Sequence, residues 1–392
     1  MKPYLLCLLV SVVMVGCQSG NQKSQTGDLH VIDLSQDYPE KEIRLQDIAD
    51  ITYIPLETTN DVLIGGNARL SYISNVFVLI WDISGDIFIF NRDGKIASHF
   101  NHRGMGDKEY PNISNVVIDE KMEEIYVFAN SVSRILVYSL TGEYKRILSF
   151  SSNITRMKAY NFDDDNILIY DESGLQADTY SETPYMIISK QDGSTVSVLD
   201  IKLPVRFSTT IFNTFTGANG EEVTQPIMVG TPHNRHFGSD FVIADIASDT
   251  IYQLTKNGDL SPLLVRTPSV HSSEPRTIWT SQLRTDKFIL LWKILLDFTA
   301  LKTLSVPFIS LIYDFETGQT NKVSFVNNDF LSETCRFYQD NLNSPKNVFA
   351  FLMDMTTLTD AYEENNLRGE LAELVPTLDE EDNPVLVIVN FK

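Results

Sequence analysis

Hydrophobic and polar positions past residue 40 alternate with the period of β-strands, and the alternation is broken at regular intervals by glycine turns. Phe88-Ile89-Phe90-Asn91-Arg92-Asp93-Gly94-Lys95 has the same shape as Ile135-Leu136-Val137-Tyr138-Ser139-Leu140-Thr141-Gly142-Glu143. The shape returns around Gly193, Gly258 and Gly318. Each copy is a short apolar strand meeting an x-Gly turn, where glycine supplies the positive φ that a tight hairpin requires. A second strand follows each turn: Ile96–Phe100, Tyr144–Phe150, Thr195–Ile201, Leu260–Arg266 and Lys322–Val326. Two further strands precede the hairpin, as in Ile113–Asp119 with Ile125–Ala129, Arg156–Asn161 with Ile167–Tyr170, and Ile278–Leu283 with Phe288–Trp292.

The turn glycines at 94, 142, 193, 258 and 318 are therefore spaced like the blades of a propeller, some lengthened by insertions. One insertion falls near Asn213–Pro226. Ile51–Glu57 at the start, and Asn347–Asp354 with Pro384–Phe391 at the end, are strand-like but belong to no repeat. A ring closes when both termini share one blade, which removes the open sheet edge. The fold class predicted is all-β: a six-bladed β-propeller closed by N- and C-terminal strands in one blade. One C-terminal stretch, Thr356–Val375, has apolar residues at helical spacing (Leu358, Ala361, Tyr362, Leu367, Leu371, Leu374) and is expected to cap a face. No β/α alternation occurs, which argues against a parallel-sheet enzyme.

The first residues carry a different pattern. Lys2 precedes an unbroken apolar or small run, Tyr4 to Val15, too short to span a bilayer and suited to a signal peptide. The run ends in Val13-Met14-Val15-Gly16-Cys17, followed by polar residues 18–27. This resembles the lipobox of bacterial lipoproteins, with Met14 where leucine is usual, and implies that Cys17 is acylated and becomes the N-terminus. The predicted division is a signal peptide over 1–16, a lipidated tether and linker over 17–42, and the propeller over 43–392. Gln18 after the cysteine resembles an outer-membrane sorting signal, so the expected location is the cell envelope, anchored without a transmembrane helix.

Composition narrows the partners. The chain has 52 acidic and 31 basic residues in 392, a formal net charge of −21, which disfavours nucleic acid. Its three cysteines leave no disulfide framework: Cys7 falls in the signal peptide, Cys17 carries lipid, and Cys335 is the one free thiol.

Arg103-Gly104-Met105-Gly106-Asp107-Lys108-Glu109-Tyr110 resembles the Gly-x-Gly-x-x-Glu-Tyr segment of a family of six-bladed β-propeller lipoproteins of Gram-negative bacteria. The spacer before Glu109-Tyr110 is one residue longer here. Ile54-Pro55-Leu56-Glu57 and Asp382-Asn383-Pro384-Val385-Leu386-Val387 resemble the same family, which is related to NHL-repeat propellers and mostly of unknown function. The likeness implies a fold more firmly than an activity.

Candidate chemistry is sparse. Arg103, Glu109 and Tyr110 form the one cluster in a blade-to-blade connection that suggests ligand binding. His233-Asn234-Arg235-His236 lacks a third metal ligand and reads as solvated or loop histidines, as do His99 and His102; His30 and His271 stand isolated. Asp163-Asp164-Asp165 lacks the glycine and distal glutamate of a calcium loop and reads as a polar turn. Asp379-Glu380-Glu381-Asp382 reads as a solvated charge run, and Trp81, Trp279 and Trp292 as packing residues or a stacking surface for a sugar ring. No nucleophile elbow, P-loop or dinucleotide fingerprint occurs. No catalytic residue, metal ligand or cofactor is thereby assigned. The expectation is a lipid-anchored, non-enzymatic module binding an envelope protein, peptide or glycan. The alternative, which the likeness to NHL propellers implies, is a metal-dependent, lactonase-like hydrolase or lyase on the central axis, with Asn115, Asn161 and Asn213 converging there.

Overall fold

The computed structural model describes residues 29–129, 134–149, 154, 156–175, 180–216, 219–228, 234–272, 274–297, 307–334, 337 and 342–392. Six antiparallel sheets are arranged as a six-bladed β-propeller. Blade 1 holds Arg69–Ile73, Phe77–Trp81, Asp86–Asn91 and Ile96–Asn101, from the axis outward. Blade 2 holds Asn115–Asp119, Glu124–Phe128, Arg134–Ser139 and Tyr144–Ser149. Blade 3 holds Met157–Asn161, Asn166–Asp171, Tyr185–Ser189 and Thr195–Val198. Blade 4 is Arg235–Phe237, Asp240–Ile243, Thr250–Leu254 and Leu260–Thr267; blade 5 is Thr277–Arg284, Phe288–Leu295, Phe308–Asp314 and Thr320–Asn327.

The central strands of each blade are apolar on both faces because neighbouring blades sandwich them. Val78–Ile80 and Leu136–Tyr138 are fully buried on this account. Each interblade layer is a separate hydrophobic cluster, such as Leu79, Ile87, Ile118, Val127 and Leu136 between blades 1 and 2.

All five repeat glycines take positive φ, between 70° and 87°. Three also allow close approach: a Cβ on Gly94 would lie 2.2 Å from the Pro55 carbonyl oxygen, one on Gly142 2.5 Å from the Phe100 ring, and one on Gly193 2.8 Å from the Ser149 carbonyl oxygen. In blades 1 to 3 the repeat glycine thus marks where the outer turn seats against the preceding blade.

Blade 6 is shared by the termini, as the sequence predicts. Val348–Met353 and Val385–Phe391 pair with the N-terminal strand Ala49–Pro55, and Asn343 bridges the innermost strand of blade 1 at Tyr72. Asn383 latches this closure. Its Nδ2 donates to the carbonyls of Glu57 and Val62 (both 2.8 Å), its Oδ1 accepts from Ile64 N–H (2.7 Å), and its own N–H reaches Thr58 Oγ1 (2.8 Å). Glu57 N–H in turn donates to Gly94 O. The two terminal motifs that carry the family resemblance, 54–57 and 382–387, therefore meet at one latch.

Two features exceed the expectation. The linker residues His30–Asp33 and Glu40–Arg44 form outer strands, parallel to the last strands of blades 4 and 5, so the N-terminal segment girdles three successive blades. The helical stretch is broken: Met355–Glu363, capped by Asp354, and Gly369–Leu374 are separated by Asn365 at φ 56°. That break lets Leu367 bridge Phe330, and the helices bury Leu358, Ala361 and Leu371 in the wedge between blades 5 and 6.

Candidate ligand-binding face and central channel

Strands alternate in direction, so the first-to-second and third-to-fourth turns of every blade share one face. The second-to-third turns and the blade-to-blade connections share the other, here called the connection face. Among the described residues the turn face carries tight turns: 74–76, 120–123, 162–165, 238–239 and 285–287, with 92–95, 140–143, 190–194, 255–259 and 315–319 outside them. Among the described residues the longer insertions lie on the connection face: the hairpin Thr210–Thr216 with Glu222–Met228 and the helices of blade 6, while the strand ends at Asp171 and Tyr185 in blade 3 and at Leu295 and Phe308 in blade 5 open onto the same face.

The 103–110 segment crosses this face between blades 1 and 2. Tyr110 is fully buried; its hydroxyl donates to Gly85 O (2.8 Å) and accepts from His102 N–H (2.9 Å), and its ring meets Tyr138 edge-on. Burial pushes its phenol upward, so it stays protonated. Tyr110 is thus a brace between blades. Glu109 Oε2 accepts from Gly106 N–H (2.9 Å) and fills the space a Cβ on Gly104 would need. Arg103 alone of the three presents an exposed side chain with no hydrogen bond or ion pair among the described residues, beside exposed Ile83 and Met105.

Farther round, buried polar groups prop up the longer loops. Arg206 Nη2 donates to Tyr170 Oη (2.8 Å) and Asp171 O (3.0 Å), Tyr170 donates to Asp245 Oδ2 (2.8 Å), and Tyr185 donates to Asn234 Oδ1 (3.2 Å). Burial holds both phenols well above their ordinary range. At the surface of the same sector, Arg276 lies over Phe207 (4.8 Å) and half-buried Trp292 stacks on Phe308 (4.0 Å, 22°). Trp81 and Trp279, by contrast, are core residues.

A recurrent carboxylate at the end of the second strand escaped the sequence reading. Asp82, Asp171 and Asp245 accept from the N–H groups of Ser84, Ser173 and Ala247 and so shape the turns of blades 1, 3 and 4. The visible signal was an aspartate two residues before a small residue, directly after an apolar strand.

The channel is narrow. One cavity of about 10 Å³ is lined by Ser71, Tyr72, Val117, Tyr160, Asn161 and His236, and another of about 20 Å³ by Arg235, His236, Gln282, Arg284, Leu342 and Ser344. Each has room for little more than a water molecule. His236 corrects the expectation of solvated histidines: it is packed on the axis against Phe241 (4.3 Å), and burial lowers its pKa to about 3, so it is neutral. The three asparagines that an axial site would require do not converge. Asn115 donates to Ala159 O (2.8 Å) as an interblade tie, and Asn213 lies in the inserted hairpin, paired with Gln225; only Asn161 faces the cavity. Among the described residues no cluster of three His, Cys, Asp or Glu is placed to hold a metal.

The remaining candidates have local partners. His99 meets Asp86 (2.8 Å), His102 meets Gly142 O (2.7 Å), His271 meets Ala247 O (3.0 Å) and His30 meets Tyr313 (2.7 Å), so His30 and His271 are not isolated. Asp163 closes the inner turn of blade 3 through Asp165 N–H, as the sequence suggests. Asp379 N–H donates to Asp382 Oδ2 within the acidic turn. Cys17, His233 and Cys335 lie outside the described residues. No helix among those residues is long and apolar enough to cross a membrane.

The fold has a counterpart among solved structures. A protein of Bacteroides fragilis designated as exported superposes with a TM-score of 0.62 at 14% identity, covering 93% of this chain and 99% of that one. A DUF4221 family member from Bacteroides vulgatus gives 0.45 at 12% identity over 88% and 97%, and BamB from Moraxella catarrhalis 0.40 at 12% over 88% and 100%. No curated protein matches the sequence. Residues 29–390 match the family described as Domain of unknown function (DUF4934), and the chain belongs to that family.

Proposed function

We propose that this chain is a lipid-anchored cell-envelope propeller that acts as a non-enzymatic binding module through its connection face. The observation carrying this reading is that, among the described residues, the inserted hairpin and the helices lie on that face while the opposite face carries tight turns. Binding groups concentrate on loops held by a rigid scaffold, and a ring of blades is such a scaffold. Half-buried Trp292 and Arg276 on Phe207 give that face aromatic and cationic surface suited to a glycan or peptide. The Val13–Cys17 lipobox supports anchoring, and the exported relative supports an envelope location. An outer-membrane site rests on Gln18. The girdle strand His30–Asp33 lies at the outer rim of blade 4, and a tether leading into it would approach from that rim.

The axial hydrolase reading is less well supported, because the channel lining is apolar or neutral polar apart from Arg235 and Arg284, with a neutral histidine at its centre. The test is retention of envelope glycans and peptides by the immobilised full chain, compared with a Trp292→Ala/Arg276→Ala variant. Saturable retention that the variant loses supports the proposal. Equal retention by both, or none by either, refutes the assignment of this face.

A further inference from the structure

At the turn-face mouth of the channel, Arg284 and Lys346 make no ion pair among the described residues. Arg284 closes the innermost strand of blade 5 and lines the larger cavity. Its guanidinium lies over Phe237 (4.1 Å) and Phe315 (5.7 Å), and Nη2 donates to Gln253 Oε1 (3.1 Å). Its Nε and Nη1 are buried with no hydrogen-bond partner. Burial depresses its pKa to about 10, with Asp240 and Asp286 opposing that shift from outside ion-pair range. Those acids are engaged elsewhere: Asp240 accepts from Gln253 Nε2 (2.9 Å), and Asp286 from Asn347 Nδ2 (2.8 Å). Lys346 lies over the same Phe237 ring (4.6 Å), next to the lining residue Pro345, and makes no ion pair among the described residues. Buried Arg235 adds a third cation to the lining.

A chain with 52 acidic residues has ample means to neutralise a buried arginine. A buried guanidinium with two unfilled donors is costly unless a partner arrives from solution. We propose that the cavity bounded by Arg284, Arg235, Gln282 and Ser344, with Lys346 at its rim, is a binding site for a small carboxylate, free or at the end of a peptide. With about 20 Å³ the cavity would seat only the carboxylate oxygens of such a group, the rest staying at its mouth, and it excludes a larger polyanion. A half-turn of the Gln282 amide, whose Oε1 lacks a donor, would add its NH₂ to the donor set. The chain's negative charge does not oppose this, because its long-range field is screened beyond ~8 Å at physiological salt. The site is at the opposite end of the channel from the connection face and stands independently of the function proposed there.

Calorimetric titration of the full chain in detergent with acetate, inorganic phosphate, and a tripeptide carrying a free or an amidated C-terminus tests this. Saturable acetate binding, at least tenfold weaker in Arg284→Gln and about threefold weaker in Lys346→Gln, is expected. Binding of the free but not the amidated peptide identifies a peptide terminus as the source, and acetate alone identifies a free carboxylate. Should Arg284→Gln fail to fold, Lys346→Gln and acetate protection of the wild type against urea give the same answer. No saturable acetate binding, phosphate binding in its place, or unchanged affinity in both variants overturns the proposal.

Discussion

Replacing Asn383 by alanine should open the ring at its latch. The side chain is 3% exposed and makes three hydrogen bonds to the backbone of 57–64, the connection leading from blade 6 into blade 1. Val62 O retains a bond from Thr59 N–H, but Glu57 O and Ile64 N–H have no other partner among the described residues. Two orphaned groups at about 1–3 kcal/mol each, softened by water entering the space, set the expected loss at about 2–4 kcal/mol. Asn383→Asp is more informative. One oxygen still accepts from Ile64 N–H, while the other faces two carbonyls at the position of the lost donor. The carboxyl's folded pKa should therefore lie above its unfolded value, so the penalty is present at pH 7 and shrinks on acidification as the group protonates and donates. Urea unfolding of the full chain at pH 7 and at pH 4.5 measures both variants against wild type. A loss below about 1 kcal/mol for Asn383→Ala, or the same Asn383→Asp penalty at both pH values, would refute the latch.

Other expectations follow from the same geometry. Gly142→Ala combines φ 83° with a ring contact at 2.5 Å and should cost clearly more in urea unfolding than Gly258→Ala, where φ is 87° but nothing lies within 4 Å. Lys190→Met strands the buried Asp119 carboxylate, which it contacts at 2.5 Å between blades 2 and 3; a loss of about 3–5 kcal/mol is expected, with much of it recovered in Lys190→Met/Asp119→Leu. Burial would raise Glu124, but hydrogen bonds from Arg146 and Tyr126 outweigh it and lower the carboxyl to about 2. Its folded pKa is depressed, so roughly 2 kcal/mol of stability, present above pH 4.5, should fade as pH falls from 4.5 toward 2; Glu124→Gln should flatten that part of the pH–stability curve.

The blade spacing, the five hairpins and the shared closing blade are written locally, as glycines at positive φ and strands apolar on both faces. All three are legible in the chain itself. Features created by partners distant in sequence are not. The girdle strands at His30–Asp33 and Glu40–Arg44 are short and polar, and they are ordered by the edges of blades 4 and 5 rather than by their own pattern. His236 sits in a sequence of polar residues, yet the strand Arg235–Phe237 carries it to the axis. Tyr110 and Arg103 are close in sequence, but the loop turns one inward and the other outward. The Arg284 cavity draws on blades 4, 5 and 6, so no single window of sequence contains it.

That the connection face is the working surface is tested most directly by one comparison on the full chain. Envelope peptides and glycans are presented to wild type and to Trp292→Ala/Arg276→Ala, and the ligand is recovered and weighed by mass spectrometry. The account predicts saturable capture of an unaltered ligand by wild type alone. Recovery of a chemically converted ligand, with conversion persisting in the variant, would contradict it.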